Sequence, residues 1–375
     1  MNIAILGSQS GDEGKGHITH HFSPDYDWVI RFNGGANAGH TIYRDGKKYV
    51  HNILPSVDFR HKHIKSYLGS GMVIDLEKLR DEVYAADDAY PGAGARIYVD
   101  KNAFIVESRH KTEDKEQNAH IGSTNRGIGP AYRDKIDRKG KRIGDLFSNR
   151  FHDPYYDDFI YQLVERGVNF VNLLEVKYRM THSNLLFEGA QGILLDINNG
   201  IYPYVSSSES TIAGIYSSGF HWAKLDKVIG VAKAYTTKVG TGPFPTELQG
   251  KEAEDLRERG HEYGATTGRP RRIGWIDLPA LKYACEVGGI NELIITKFDI
   301  LNGMKEVPVC TSYGKPVVSP QDFFNAQPEY VSVLGWDDAK DTNQLMPFIQ
   351  KIVEHTGKLV TYISCGTSSS DIIAY

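Results

Sequence analysis

Cysteine is scarce in this chain of 375 residues: Cys285, Cys310 and Cys365 are the only three, and they stand far apart. Their spacing excludes the paired arrangements of a zinc site or a disulfide framework, so a reducing, cytoplasmic setting is expected. Long apolar runs are also missing. No stretch of eighteen apolar residues occurs, so no membrane-spanning helix is expected. The apolar segment Met1 to Leu6 carries no basic leader and runs straight into a glycine loop, which reads as a strand and not as a signal peptide. An excess of positive charge is absent too, because 43 Lys and Arg face 47 Asp and Glu for a net charge of −4. That balance gives no global pull toward nucleic acid or an anionic membrane, so neither is expected as a partner and any anionic ligand needs a local cluster. There is no internal repeat and no low-complexity tract.

Short β-branched runs are plentiful. Asn2–Leu6, Trp28–Phe32, Arg96–Val99, Leu185–Glu188, Val228–Ala234, Glu292–Lys297 and Leu359–Ser364 are near-continuous apolar stretches bounded by Gly, Asn and Asp. Strands buried on both faces of a mostly parallel sheet have this character. The expected fold is α/β, a single elaborated domain over residues 1–375 with a mainly helical excursion at about 101–178.

Glycine is abundant, with 38 residues, and clusters where the apolar runs end. Gly7 to Gly16 places Gly11, Gly14 and Gly16 around Asp12, Glu13 and Lys15 directly after the first strand. Converging backbone N–H groups beside a cation make a phosphate site. The loop departs from G-x-x-x-x-G-K-[ST]: Gln9 stands at the first glycine and Gly16 replaces the metal-binding hydroxyl, which leaves Asp12 as the oxygen donor for a metal. A second glycine loop, Arg31 to Thr41, offers Asn37 and His40 for directed hydrogen bonds. His120 to Tyr132 combines hydroxyls, Arg126 and glycines as a second anion site would, and Arg138, Lys139, Lys141 and Arg142 follow. Gly264 to Arg272 sets Thr266 and Thr267 beside Arg269, Arg271 and Arg272, a pattern suited to bidentate capture of carboxylate or phosphate. Thr296-Lys297-Phe298-Asp299 has the form of a guanine-recognition element, in which the carboxylate accepts from N1–H and the 2-amino group.

Together with Phe187 to Gly192, Tyr202 to Val205, Gly242 to Glu247 and Ile363 to Gly366, these motifs resemble, in order along the chain, those of the adenylosuccinate synthetase family. The resemblance implies an Mg²⁺-dependent homodimeric ligase. It would use a nucleoside triphosphate to replace the 6-oxo group of a purine monophosphate with the amine of L-aspartate. Asp12 matches the family's base for the N1 proton, and His40 the histidine that stabilises the phosphoryl transfer. Asp12 and the Gly39 carbonyl would hold the metal. Gly11, Glu13, Gly14, Lys15, Gly16, Gly39, His40 and Thr41 would meet the donor phosphates, and Lys297, Asp299, Ser364 and Gly366 the donor base. Asn37, Thr124, Gln191, Ser206, Val239 and Arg269 match the purine-monophosphate site, with Arg138 contributed across a dimer interface. Thr266, Thr267 and Arg271 match the aspartate site.

Four positions depart from the family pattern. Ser10 stands where tryptophan is usual, Ala36 where histidine is usual, His17 where lysine is usual and Ser206 where threonine is usual. A small hydroxyl at position 10 makes room for a purine 2-amino group. With the short chain, these changes resemble the phage-associated branch that acts on dGMP, which would set the protein in a host cytoplasm. Retention of Asp12 points to an intermediate form. The expected substrate is dGMP, with the cellular reaction of IMP and GTP as the alternative, and the donor is open between GTP, ATP and dATP. A nucleotide-binding switch without synthetic chemistry would need the first loop but not Arg269, Arg271 and the paired threonines.

Overall fold

The computed structural model describes residues 1–44, 47–117, 123–148, 153–264 and 268–375. Ten strands build the central sheet: β1 (Asn2–Gly7), β2 (Trp28–Arg31), β3 (Lys65–Leu68), β4 (Ile97–Asp100), β5 (Asn169–Val171), β6 (Leu185–Gly192), β7 (Lys227–Lys233), β8 (Glu292–Thr296), β9 (Leu359–Ser364) and β10 (Ile372–Ala374). Their spatial order is β10-β9-β8-β7-β1-β6-β2-β3-β4-β5. β10 alone runs antiparallel to its neighbour. All seven runs expected as strands lie in this sheet. β3, β5 and β10 were not anticipated.

Alternate residues of each inner strand enter different cores, as the period of two requires. Ala4, Leu6, Ile30, Phe32 and Phe187 pack into one layer. Ile3, Ile5, Val29 and Leu186 pack into the other. Burial on both faces explains why these strands read as continuous apolar runs. The helices Ser108–Gln117, Ile128–Ile136, Pro154–Glu165 and Leu173–Thr181 lie between β4 and β6. β5 returns from this excursion to pair with β4. A smaller sheet joins Tyr235–Lys238, Arg272–Asp277, Glu306–Ser312 and Glu329–Leu334, and His40–Arg44 forms a hairpin with Lys47–His51. Among the described residues no helix is long and apolar enough to cross a membrane.

β1 lies at the middle of the large sheet, and the glycine loops follow the carboxyl ends of β1 and β2. Gln191 lies at the same end of β6, Lys297 follows β8, and Ser364 closes β9. Ligands of open parallel sheets bind along this edge.

Candidate active site

The loop after β1 is held by its own carboxylate. Gly11, Asp12 and Gly14 adopt φ of 89°, 63° and 92°, so the chain turns back on itself twice before the helix Lys15–Phe22 begins. Glu13 is fully buried, and its Oε1 accepts the backbone N–H of Gln9 at 3.1 Å and of Gly11 at 2.8 Å. Lys15 Nζ lies 2.5 Å from Glu13 Oε2. The loop thus differs from an open cradle, the expectation raised by its glycines: Glu13 fills the interior and Gly11 N–H is already taken. The first turn of the helix, capped by Gly14, is the part left for a phosphate, where unpaired N–H groups and the helix dipole favour an anion.

Gly16 packs against the second glycine loop. A Cβ there would stand 2.6 Å from His40 Cβ and 2.9 Å from Ser56 Oγ. His40 is buried, and its Nδ1 lies 2.6 Å from Glu188 Oε1, in the middle of β6. Burial pushes the His40 pKa below its ordinary value, more than the Glu188 carboxylate raises it. Gly39 and Thr41 flank it, half-buried, and Asn37 Oδ1 accepts Gly35 N–H at 3.1 Å.

Asp12 meets the arginine loop. Arg271 Nε lies 2.7 Å from Asp12 Oδ2, an ion pair without hydrogen-bond alignment, and Nη1 donates to Glu262 Oε2 at 2.5 Å. The Arg271 fork, expected to grip a substrate carboxylate, is therefore largely committed inside the protein through Nε and Nη1. Glu262 also pairs with the fully buried Lys233 at 3.1 Å and accepts the Tyr235 hydroxyl at 2.6 Å. Burial pushes the Glu262 carboxyl up, but Lys233, Arg271 and Lys297 more than offset this and hold it down at about 2. Thr266 and Thr267 lie outside the described residues.

Of the expected purine set, Gln191, Ser206 and Asn37 lie half-buried at the loop ends, and Ser208 Oγ joins the first two, 3.3 Å from each. Val239 and Arg269 are exposed, as are Thr124 and Arg138. Ser10 is buried; it bridges to Lys238 and lines a cavity of about 20 Å³ with Leu194, Ile201 and Phe244. None of Asn37, Gln191, Ser206 or Arg269 lines that cavity. Gln9, Thr236, Lys238 and Asp277 also line it, and Lys238 precedes Val239 of the expected purine set.

Lys297 has φ of 67° and donates from Nζ to the Gly260 carbonyl at 3.1 Å. Asp299 follows, and its Oδ1 is buried without a hydrogen-bond partner. Burial raises its pKa, so the site gains by supplying donors to the carboxylate. Ser364 Oγ donates to the Gly366 carbonyl at 3.3 Å.

No cluster of three or more acidic, His or Cys side chains that could hold a metal occurs among the described residues. One carboxylate, Asp12, and one carbonyl, Gly39, suit Mg²⁺, which is commonly held by few protein oxygens and completed by phosphates and water. Sequence reasoning missed Glu188, Ser56, Glu262 and Lys233 as supports of the site. The available signal was a charged residue closing an apolar strand, as at Leu185 to Glu188 and Val228 to Lys233.

The family model described as adenylosuccinate synthetase matches residues 4–161 and 154–373. The adenylosuccinate synthetase of Petrotoga mobilis is 44% identical, over 99% of this chain and 96% of its own. That of Thermotoga maritima is 39% identical over the whole of both chains. The fully ligated adenylosuccinate synthetase of Plasmodium falciparum superposes with a TM-score of 0.90 at 33% identity, covering 100% of this chain and 99% of that one. The succinoaminodeoxyadenylate synthetase of cyanophage S-2L, bound to dGMP and dATP, gives a TM-score of 0.72 at 21% identity, over 100% of this chain and 95% of that one; this likeness shows the fold alone. With its strand-end loops, buried carboxylates and near-complete coverage by these relatives, the chain belongs to the adenylosuccinate synthetase family and is a carbon–nitrogen ligase.

Proposed function

We propose that this ligase joins IMP and L-aspartate at the expense of GTP, giving adenylosuccinate, GDP and phosphate. IMP thereby replaces dGMP, the purine expected from Ser10. One observation favours the change: bacterial relatives named adenylosuccinate synthetase are 39 to 44% identical over nearly the whole chain. The observation that carries the ligase chemistry is the meeting, at one sheet edge, of Asp12 with Arg271 and of His40 with Glu188.

In this reading the Asp12 carboxylate takes the N1 proton of the purine, and the electron pair moves to the 6-oxygen, which attacks the γ-phosphorus as its bond to the β–γ bridging oxygen breaks and GDP leaves. His40 faces the phosphoryl group. The aspartate amine then bonds to C6, loses a proton and expels phosphate. Arg271 exchanges Asp12 for the substrate carboxylate as aspartate arrives, with Thr266 and Thr267 beside it. Lys15, with Gly14, Gly16, Gly39 and Thr41, lines the donor phosphates, while Gly11 and Glu13 shape the loop from within. Asp12 and the Gly39 carbonyl would hold Mg²⁺, which supplies charge neutralisation on the phosphate oxygens. Asn37, Thr124, Gln191, Ser206, Val239 and Arg269 hold the monophosphate, and exposed Arg138 reaches the site of a partner in a homodimer.

The donor assignment rests on Asp299, whose unpartnered oxygen suits the N1–H and 2-amino donors of guanine. Lys297, Ser364 and Gly366 border it. Asp299→Asn is expected to raise the KM for GTP by roughly 10- to 100-fold, the scale of a lost charge-assisted hydrogen bond, with a smaller change for ATP. Equal loss with both donors would refute base reading by Asp299. The purine is tested by competing IMP, GMP and dGMP with each of GTP, ATP and dATP and weighing the succinyl product. Adenylosuccinate is expected, and a 2-amino product as the main species would restore the dGMP reading.

A further inference from the structure

Glu188 closes the apolar run Leu185-Leu186-Phe187 and is fully buried, so its charge requires partners. It has them on both oxygens. Oε1 lies 2.6 Å from His40 Nδ1 and accepts the Ser56 hydroxyl at 2.7 Å, while Oε2 accepts the Ser56 backbone N–H at 2.9 Å. Burial pushes the carboxyl up, but His40, Arg31 and the Ser56 hydroxyl more than offset this and hold it down at about 2. Arg31 stands opposite Glu188 in the register of β2 and β6, itself fully buried, and supplies countercharge from the neighbouring strand. An ionised carboxylate only accepts hydrogen bonds, so the hydrogen in the contact with His40 belongs to Nδ1.

We propose that Glu188 is a positioning residue that fixes His40 as its Nδ1–H tautomer, which leaves Nε2 as the nitrogen presented to the phosphoryl group. Ser56 holds the carboxylate so that one oxygen faces His40. The inference rests on the reading of His40 at the phosphoryl-transfer step, but the tautomer is a property of the ligand-free protein and is measured without turnover. Replacing Glu188 with glutamine keeps the shape and changes the donor pattern. The amide carbonyl satisfies Ser56 N–H, its NH₂ then points at Nδ1, and the imidazole hydrogen moves to Nε2.

The test is long-range proton–nitrogen correlation on the full ¹⁵N-labelled chain, with His40→Asn identifying the His40 signals, together with steady-state kinetics of E188Q and E188D. The expected result is an Nδ1–H imidazole in the wild-type protein and an Nε2–H imidazole in E188Q. The kcat of E188Q should fall roughly 100- to 10,000-fold, the range seen when a histidine loses its orienting carboxylate, with KM changed far less. E188D, which keeps an acceptor-only group, should recover part of kcat. An Nε2–H tautomer in the wild-type protein overturns the proposal without any variant, as does an unchanged tautomer or near-normal kcat in E188Q. Near-normal turnover of His40→Asn would instead remove the catalytic role of His40, leaving the tautomer measurement to stand alone.

Discussion

Asp12→Asn is expected to lower kcat by about 10³-fold while leaving the fold and nucleotide binding in place, since positioned general bases contribute roughly 10² to 10⁴. The backbone makes this a clean experiment. Asp12 sits at φ of 63°, a left-handed conformation that asparagine and aspartate tolerate better than other residues with a Cβ, so the amide enters without strain. What the amide cannot do is accept the purine N1 proton or balance the Arg271 charge. Single-turnover mixing of the variant with IMP, GTP and L-aspartate, alongside binding of IMP and GTP by calorimetry, separates chemistry from affinity. Retained binding with lost turnover supports the base assignment. Turnover within a few-fold of wild type would move the base elsewhere, and Glu13 would be a poor candidate because its carboxylate is enclosed by Gln9, Gly11 and Lys15.

Lys233→Met is expected to cost about 3 to 5 kcal/mol of unfolding free energy, the penalty of breaking a buried ion pair on one side. Lys233 and Glu262 are 0% and 1% exposed, so water cannot replace the missing partner. Denaturant unfolding measures the loss, and a cost below about 1 kcal/mol would mean that Arg271 and Tyr235 suffice for Glu262. The same carboxylate sets an acid limb. Its folded pKa, about 2, lies below the ordinary 4.5, so its contribution is fully present above about pH 4.5 and is lost as pH falls toward 2. In Lys233→Met that limb should shift upward in pH, because the cation that lowers the carboxyl most is gone.

Strand positions were legible where several β-branched residues run together, as in Glu292-Leu293-Ile294-Ile295-Thr296. β3 was not, because Lys65-Ser66-Tyr67-Leu68 carries one charged and two hydroxyl residues in four positions; its burial comes from β2 and β4 on either side. The loops were legible for a local reason, since a glycine cluster after an apolar strand is contiguous in sequence. Their supports were not. Glu188 lies 148 residues from His40, and Glu262 lies 29 from Lys233. No spacing rule connects such pairs, and only the presence of Arg31, Glu188 and Lys233 after apolar runs in the sequence signalled that each needed a counterion. Ser10 shows the limit of a local reading from the other side. Its neighbours in sequence suggest the purine edge, and its place beside Lys238, which precedes Val239, and Leu194 is fixed by segments more than 180 residues away.

The glycine after Lys15 carries a further consequence. A serine or threonine there, as in the common phosphate loop, would drive its Cβ into His40 and Ser56. Any Cβ at position 16 therefore competes with the His40 Cβ and the Ser56 hydroxyl for one volume, so the metal-gripping residue of the common loop and His40 in its present place do not fit together. Grafting the usual lysine–serine pair would not merely add a metal ligand; it would evict the histidine hairpin from the helix it leans on. Two solutions to phosphoryl transfer are here mutually exclusive by steric occupancy, and that exclusion, more than any missing function, explains why the loop ends in glycine.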